Sequence, residues 1–218
     1  MKINQKEIFR YLGYGTKEPD EIIQQLIKES VIELEKVISP KTITKAFPIL
    51  LKENNEIDFG FLQTKSKHLS KNLKDCEQVI LFVSTLGMNV DKLIAKYSKF
   101  QMSKVVIIQA VATTMLEEYA NEYCDTLKKE WKEKGCYLRP RFSPGYGDFS
   151  LECQKTLLEV LEAQKRIGIY LTDSLLMTPS KSITAIIGVS KQPNQCKTEG
   201  CELCQKKNCI YRRTEQEQ

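Results

Sequence analysis

In 218 residues the chain has one histidine and one tryptophan. With His68 as its only imidazole, a Ser/His/Asp or Cys/His hydrolytic centre is poorly supported. Long apolar runs are missing as well. No stretch approaches the ~18 consecutive apolar residues of a membrane-spanning helix, which argues against a membrane protein. The opening residues, Met1-Lys2-Ile3-Asn4-Gln5-Lys6-Glu7, lack the apolar run of a secretory signal, so a cytoplasmic protein is expected. No block of one charge sign is present either: 33 basic residues against 28 acidic ones leave +5, with lysines and glutamates interleaved. Charge alone therefore does not point to nucleic acid. There is no internal repeat. What is present, 41% hydrophobic and 28% charged residues, is the composition of a soluble globular domain with one sizeable core and a short appendage.

Residues 5 to 38 carry apolar side chains at spacings of three and four (Ile8, Leu12, Ile22, Ile23, Leu26, Ile27, Val31, Leu34, Ile38). They predict helices interrupted at Gly13-Tyr14-Gly15 and stopped by Ser39-Pro40. Lys41 to Ile49 and Ile57 to Leu62 lean towards strand and are expected to form a hairpin across the polar turn Glu53-Asn54-Asn55-Glu56. A short helix is expected over Ser66 to Leu73. Gln78 to Val83 reads as a strand buried on both faces. Helices follow from about Val90 to Tyr97 and from Met102 to Trp131, the first half of the latter forming the central core helix. Leu151 to Arg166 predicts a further helix closed by Gly168. A strand pair of Ile169 to Thr172 with Ser182 to Val189 comes next, and from Ser190 onward the composition turns polar and cysteine-rich. The expected divisions are residues 1–40, 41–190 and 191–218.

Between the long helix and Leu151 lies Tyr137-Leu138-Arg139-Pro140-Arg141-Phe142-Ser143-Pro144-Gly145-Tyr146-Gly147-Asp148. Two prolines stiffen it and two glycines open backbone conformations closed to other residues. Such a backbone presents N–H and C=O groups at little entropic cost, Arg141 offers a fork for a carboxylate, and Tyr146 offers a flat face. This is the pattern of a loop binding a small ligand with an anionic end. The blander alternative is a Pro/Gly turn with a solvated arginine.

The string Arg141-Phe142-Ser143-Pro144-Gly145-Tyr146 resembles the S-adenosylmethionine-binding loop of the activation domain of cobalamin-dependent methionine synthase. Other strings agree in order: Phe47-Pro48 before an acidic turn, Ser84-Thr85-Leu86-Gly87, Met115-Leu116-Glu117, Thr172-Asp173-Ser174, Met177-Thr178-Pro179 and Ser182. The resemblance covers about Thr42 to Val189. It implies an α+β fold, a single domain of mainly antiparallel twisted sheet flanked by helices. It also implies binding of S-adenosylmethionine by Glu117, Arg141, Ser143, Pro144, Gly145 and Tyr146. Arg141 would take the carboxylate, Glu117 would pair with the cationic ligand, and Tyr146 would meet the corrinoid as the residue nearest catalysis. The implied partners are cobalamin-dependent methionine synthase or another corrinoid protein and an electron donor such as flavodoxin or ferredoxin. The family's Gly-Tyr-Pro-Ala-Cys-Pro, however, is replaced here by Gly145-Tyr146-Gly147-Asp148-Phe149-Ser150.

Cysteines Cys196, Cys201, Cys204 and Cys209 place four thiols within a short polar tail, a spacing able to wrap zinc or an iron–sulfur cluster. Cys76, Cys124, Cys136 and Cys153 are scattered and read as packing residues. Three function classes stay open: reductive methylation of a partner-bound corrinoid, an S-adenosylmethionine-responsive adaptor without turnover, and a zinc-ribbon nucleic-acid binder.

Overall fold

The computed structural model describes residues 3–15 and 17–193. Two helices come first, α1 (Gln5–Tyr11) and α2 (Glu21–Val37). Each starts where a side chain can satisfy an orphan amide of the first turn: Asn4 accepts from the Lys6 N–H and Asp20 from the Ile23 N–H. Strand β1 (Lys41–Pro48) precedes the short strands β2 (Leu50–Leu51), β3 (Glu56–Asp58) and β4 (Gln63–Lys65). Ser66 caps α3 (Lys67–Asn72) by accepting from the Leu69 N–H. Strand β5 (Cys76–Thr85) then leads through α4 (Met88–Tyr97) to the long α5 (Met102–Glu133). The remainder is β6 (Tyr137–Leu138), the Pro/Gly loop, α6 (Cys153–Val160), α7 (Ala163–Ile167), β7 (Tyr170–Leu171), β8 (Met177–Thr178) and β9 (Ser182–Ser190).

The main sheet has the order β1-β5-β9-β6, and every neighbouring pair is antiparallel. Strand β5 is a continuous apolar run because both of its faces are covered. Val79, Leu81 and Val83 point into a core shared with Leu69, Leu73, Phe149, Leu157 and Ile169, whereas Ile80 and Phe82 point into another with Ala120, Cys124 and Leu127 of α5. The first half of α5 is enclosed by α1, α2 and α4, whose Ile8, Leu34 and Val90 join Ile108, Val111 and Met115 in a third cluster. A polar clamp ties three of these helices together. Lys104 Nζ of α5 lies 2.6 Å from Glu33 Oε1 of α2, and Tyr97 of α4 donates its hydroxyl to Glu33 Oε2 at 2.7 Å. Among the described residues no helix is long and apolar enough to cross a membrane.

The α+β fold with an antiparallel sheet flanked by helices is present as expected. Three local expectations are corrected. The hairpin of Lys41–Ile49 with Ile57–Leu62 does not form: β1 pairs with β5, Phe47 opposite Val79, while β3 pairs with β2 and β4. The buried Ile43 of β1 needs the main core, which local composition cannot express. The single helix over Leu151 to Arg166 is two, because Glu162 adopts a left-handed conformation (φ +50°) between α6 and α7; Gly168 closes the second. Finally, β7 pairs with β8, and Ser182–Ser190 instead becomes a middle strand of the main sheet.

Candidate ligand site

The direction of Arg141 follows from one extra residue. Beyond β6 the chain continues along β9, with Leu138 opposite Val189 and Phe142 opposite Ile186. Arg139, Pro140 and Arg141 thus face only Ile187 and Gly188, which makes a β-bulge at a proline that has no N–H to give the ladder. On either side the pairing is sound: the Arg139 N–H donates to Gly188 O at 2.8 Å, and Phe142 exchanges bonds of 2.9 and 2.8 Å with Ile186. The bulge reverses the alternation of faces. Leu138 packs on the α5 side of the sheet and Phe142 on the other, so Arg141 comes back to the α5 side.

There, Arg141 Nη2 donates to Glu117 Oε2 and to Asn121 Oδ1, both at 2.9 Å. Glu117 and Asn121 are a helical turn apart on α5 and so reach the same group. The guanidinium also lies 5.9 Å from the Phe82 ring centroid. Its other amino nitrogen, Nη1, is buried without a hydrogen-bond partner. A charged donor in that position favours an anionic acceptor, because burying it unpaired is costly. One turn earlier on the same helix, Thr113 Oγ1 accepts from Lys181 Nζ at 3.0 Å. Burial holds the Lys181 ammonium below its ordinary range, against the opposing pull of Asp91. Thr113, Glu117 and Asn121 therefore form one polar stripe that faces two cations.

The adjoining turn is closed by its own backbone. Tyr146 N–H donates to Ser143 O at 3.1 Å and Gly145 N–H to Phe149 O at 2.8 Å, with φ at Gly145 at +84°. Pro144 is buried and Ser143 half-buried. Tyr146 is 45% exposed and stands edge-on to Phe142, ring centroids 5.2 Å apart. Glu117 and Arg141 thus meet directly on the α5 side of the sheet, whereas the turn from Ser143 to Tyr146 follows Phe142 to the other side, where Tyr146 packs on that ring.

Residues 67–213 match the family model described as vitamin B12 dependent methionine synthase, activation domain. The chain belongs to this family. A solved structure described as the MetH reactivation domain bound to AdoHcy superposes with a TM-score of 0.64 at 19% identity, covering 90% of this chain and 76% of that one. That likeness establishes the fold. Comparison with curated proteins gives no match.

In this activation-domain chain several contacts were not foreseen from sequence. Asn121 is a partner of Arg141, and its place four residues after Glu117 was the available signal. Lys181 had none. Asp148 lay in the loop without an assigned role, yet it accepts from Ser66 Oγ at 2.5 Å, from the Lys67 N–H at 2.7 Å and from the His68 N–H at 3.1 Å. Burial opposes its ionisation, but these hydrogen bonds, that of Ser66 foremost, hold its pKa down at about 2. His68 is exposed on α3, and its Nδ1 lies 3.3 Å from Asp148 Oδ1. A groove of about 820 Å³ lined by Leu158, Glu159, Ile169 and Tyr170 lies across the sheet from Arg141, and none of the expected ligand residues lines it.

Cys76, Cys124 and Cys153 are buried free thiols and Cys136 is half-buried. Burial pushes the Cys76 and Cys124 thiols up, as suits packing residues. Cys196, Cys201, Cys204 and Cys209 lie outside the described residues. Among the described residues no group of three or more His, Cys, Asp or Glu side chains is placed to hold a metal ion.

Proposed function

We propose that this chain binds S-adenosylmethionine between α5 and the Pro/Gly loop and serves the reductive methylation of a corrinoid carried by methionine synthase or another corrinoid protein. The observation that carries the reading is Arg141. Its Nη2 is fixed by Glu117 and Asn121 while the buried Nη1 keeps its donor capacity, a geometry that fits a ligand carboxylate. Glu117, accepting from Arg141 through Oε2 and 38% exposed, gives negative charge for the cationic part of the ligand.

The bound sulfonium supplies an already activated methyl group: as the S–CH3 bond breaks, its electron pair stays on sulfur and S-adenosylhomocysteine is left. The cobalt(I) electron pair of the partner's corrinoid forms the new Co–C bond. A one-electron donor of the flavodoxin or ferredoxin type must first reduce cobalt(II). This chain's own share is position and exclusion of water, not proton transfer. Arg141 and Glu117 fix the amino acid end, the turn from Ser143 to Gly145 borders the ligand, and exposed Tyr146 faces the incoming corrinoid.

The test is turnover. Methyl-labelled S-adenosylmethionine, a cobalamin-loaded corrinoid protein and a strong reductant should yield labelled methylcobalamin and S-adenosylhomocysteine only when the chain is added. Ligand binding without transfer would replace this reading with the adaptor role.

A further inference from the structure

The ligand loop has a conformational problem of its own. Gly145 and Gly147 flank Tyr146 with φ of +84° and +58°. Glycine pairs of this kind leave an unfolded or unliganded segment many alternatives. The loop's own backbone bonds, Gly145 N–H to Phe149 O and Phe149 N–H to Tyr146 O, close the turn, and buried Phe149 anchors its far end in the core, but neither sets the backbone angles at Gly145 and Gly147.

A second anchor lies across the sheet edge. We propose that Asp148 is a positioning residue: by gripping the start of α3 through Ser66, Lys67 and His68 it latches the loop in the ligand-binding conformation before ligand arrives. This inference rests on the ligand reading above. Asp148 touches none of the residues assigned to the ligand, so it acts through the backbone from Gly145 to Gly147. Both of its oxygens are engaged, Oδ1 by Ser66 Oγ and the His68 N–H, Oδ2 by the Lys67 N–H. Those donors are rigid. Ser66 is buried, and its hydroxyl oxygen is itself held by the Leu69 N–H at 3.0 Å. The approach is also close, a Cβ at Gly147 lying 2.6 Å from Nδ1 of the exposed His68 ring, and the φ of +58° at Gly147 is what brings the loop to α3.

A cap that merely stabilises α3 and a latch that orders the loop differ in what they change. The Asp148 carboxylate is 42% exposed, so water competes for its oxygens and its share of global stability is small. Its effect on the order of a two-glycine turn is direct. Pre-ordering raises affinity by removing a cost otherwise met on binding.

Wild type, Asp148→Ala and Asp148→Asn, each first shown to be folded by circular dichroism, are compared at 10 °C by calorimetry with S-adenosylhomocysteine and by amide hydrogen exchange without ligand. The latch requires that Asp148→Ala weaken binding roughly tenfold with the loss in the entropy term. Exchange at Gly145 and Phe149 should rise at least about tenfold. Asp148→Asn, which keeps an acceptor for Ser66 and His68, should recover most of both. Unchanged exchange and affinity in Asp148→Ala would overturn the latch, even if melting temperature fell. If wild type itself binds no S-adenosylhomocysteine, the ligand reading fails, and the exchange rates alone still decide whether the loop is latched.

Discussion

Individual residues in this chain have roles set by neighbours that sequence places far away. Arg141 and Glu117 were legible as ligand candidates only because a loop motif and a helix string stood in the family's order. Their contact at 2.9 Å depends on the bulge at Pro140, which no propensity reveals. Gly147 illustrates a sharper constraint. With φ of +58° and His68 Nδ1 2.6 Å from the position of an added Cβ, Gly147→Ala must accept a left-handed backbone and displace an exposed imidazole. The ring can swing away, so the backbone sets the cost, about 1 kcal/mol of stability. Chemical denaturation of Gly147→Ala and of Gly147→Ala with His68→Ala should therefore give similar losses. A double variant restored to wild-type stability would show that the imidazole, not the backbone angle, is the constraint.

At the level of elements, periodicity found every long helix and the buried strand β5, since those signals are local. Partners were not legible: β1 reaches β5 rather than the nearer Ile57–Leu62, because pairing is decided by which face must be buried. The clamp joining α2, α4 and α5 was equally hidden. Its members are unequal, the Lys104 side chain being 7% exposed and that of Glu33 29%. Glu33→Ala leaves a buried ammonium with Tyr97 alone, whereas Lys104→Met returns a part-exposed carboxylate to water and keeps an apolar stem. The first should cost about 2 kcal/mol or more and the second less than about 1. Equal losses in urea unfolding would contradict that asymmetry. The loop-to-α3 contact adds a pH dependence. The Asp148 pKa of about 2 lies below the ordinary carboxylate value near 3.9, so its contribution is complete above about pH 4. It is lost as pH falls towards 2, and Asp148→Asn should flatten the stability profile in that window alone.

As a whole, the molecule keeps the α5 stripe and Arg141 on one side of the sheet and packs Phe142 and Phe149 of the Pro/Gly loop on the other, against α3, α6 and α7, so stripe and loop each rest on a packed core. From spacing alone we propose that Cys196, Cys201, Cys204 and Cys209 hold metal, because four thiolates at close quarters repel unless a cation neutralises them. Protein purified without oxygen should contain about one zinc ion or one iron–sulfur cluster per chain, and Cys201→Ser with Cys204→Ser should abolish it. Metal retained by the double variant would refute that assignment. The most direct measurement of the central claim is calorimetric titration of S-adenosylhomocysteine into wild type and Arg141→Ala. Wild type should bind one ligand per chain and Arg141→Ala about 30-fold more weakly, corresponding to about 2 kcal/mol for a buried charge-assisted contact, while its melting temperature stays near that of wild type. Equal affinities for the two proteins would contradict Arg141 as the carboxylate anchor, and with it the placement of the ligand between α5 and the loop.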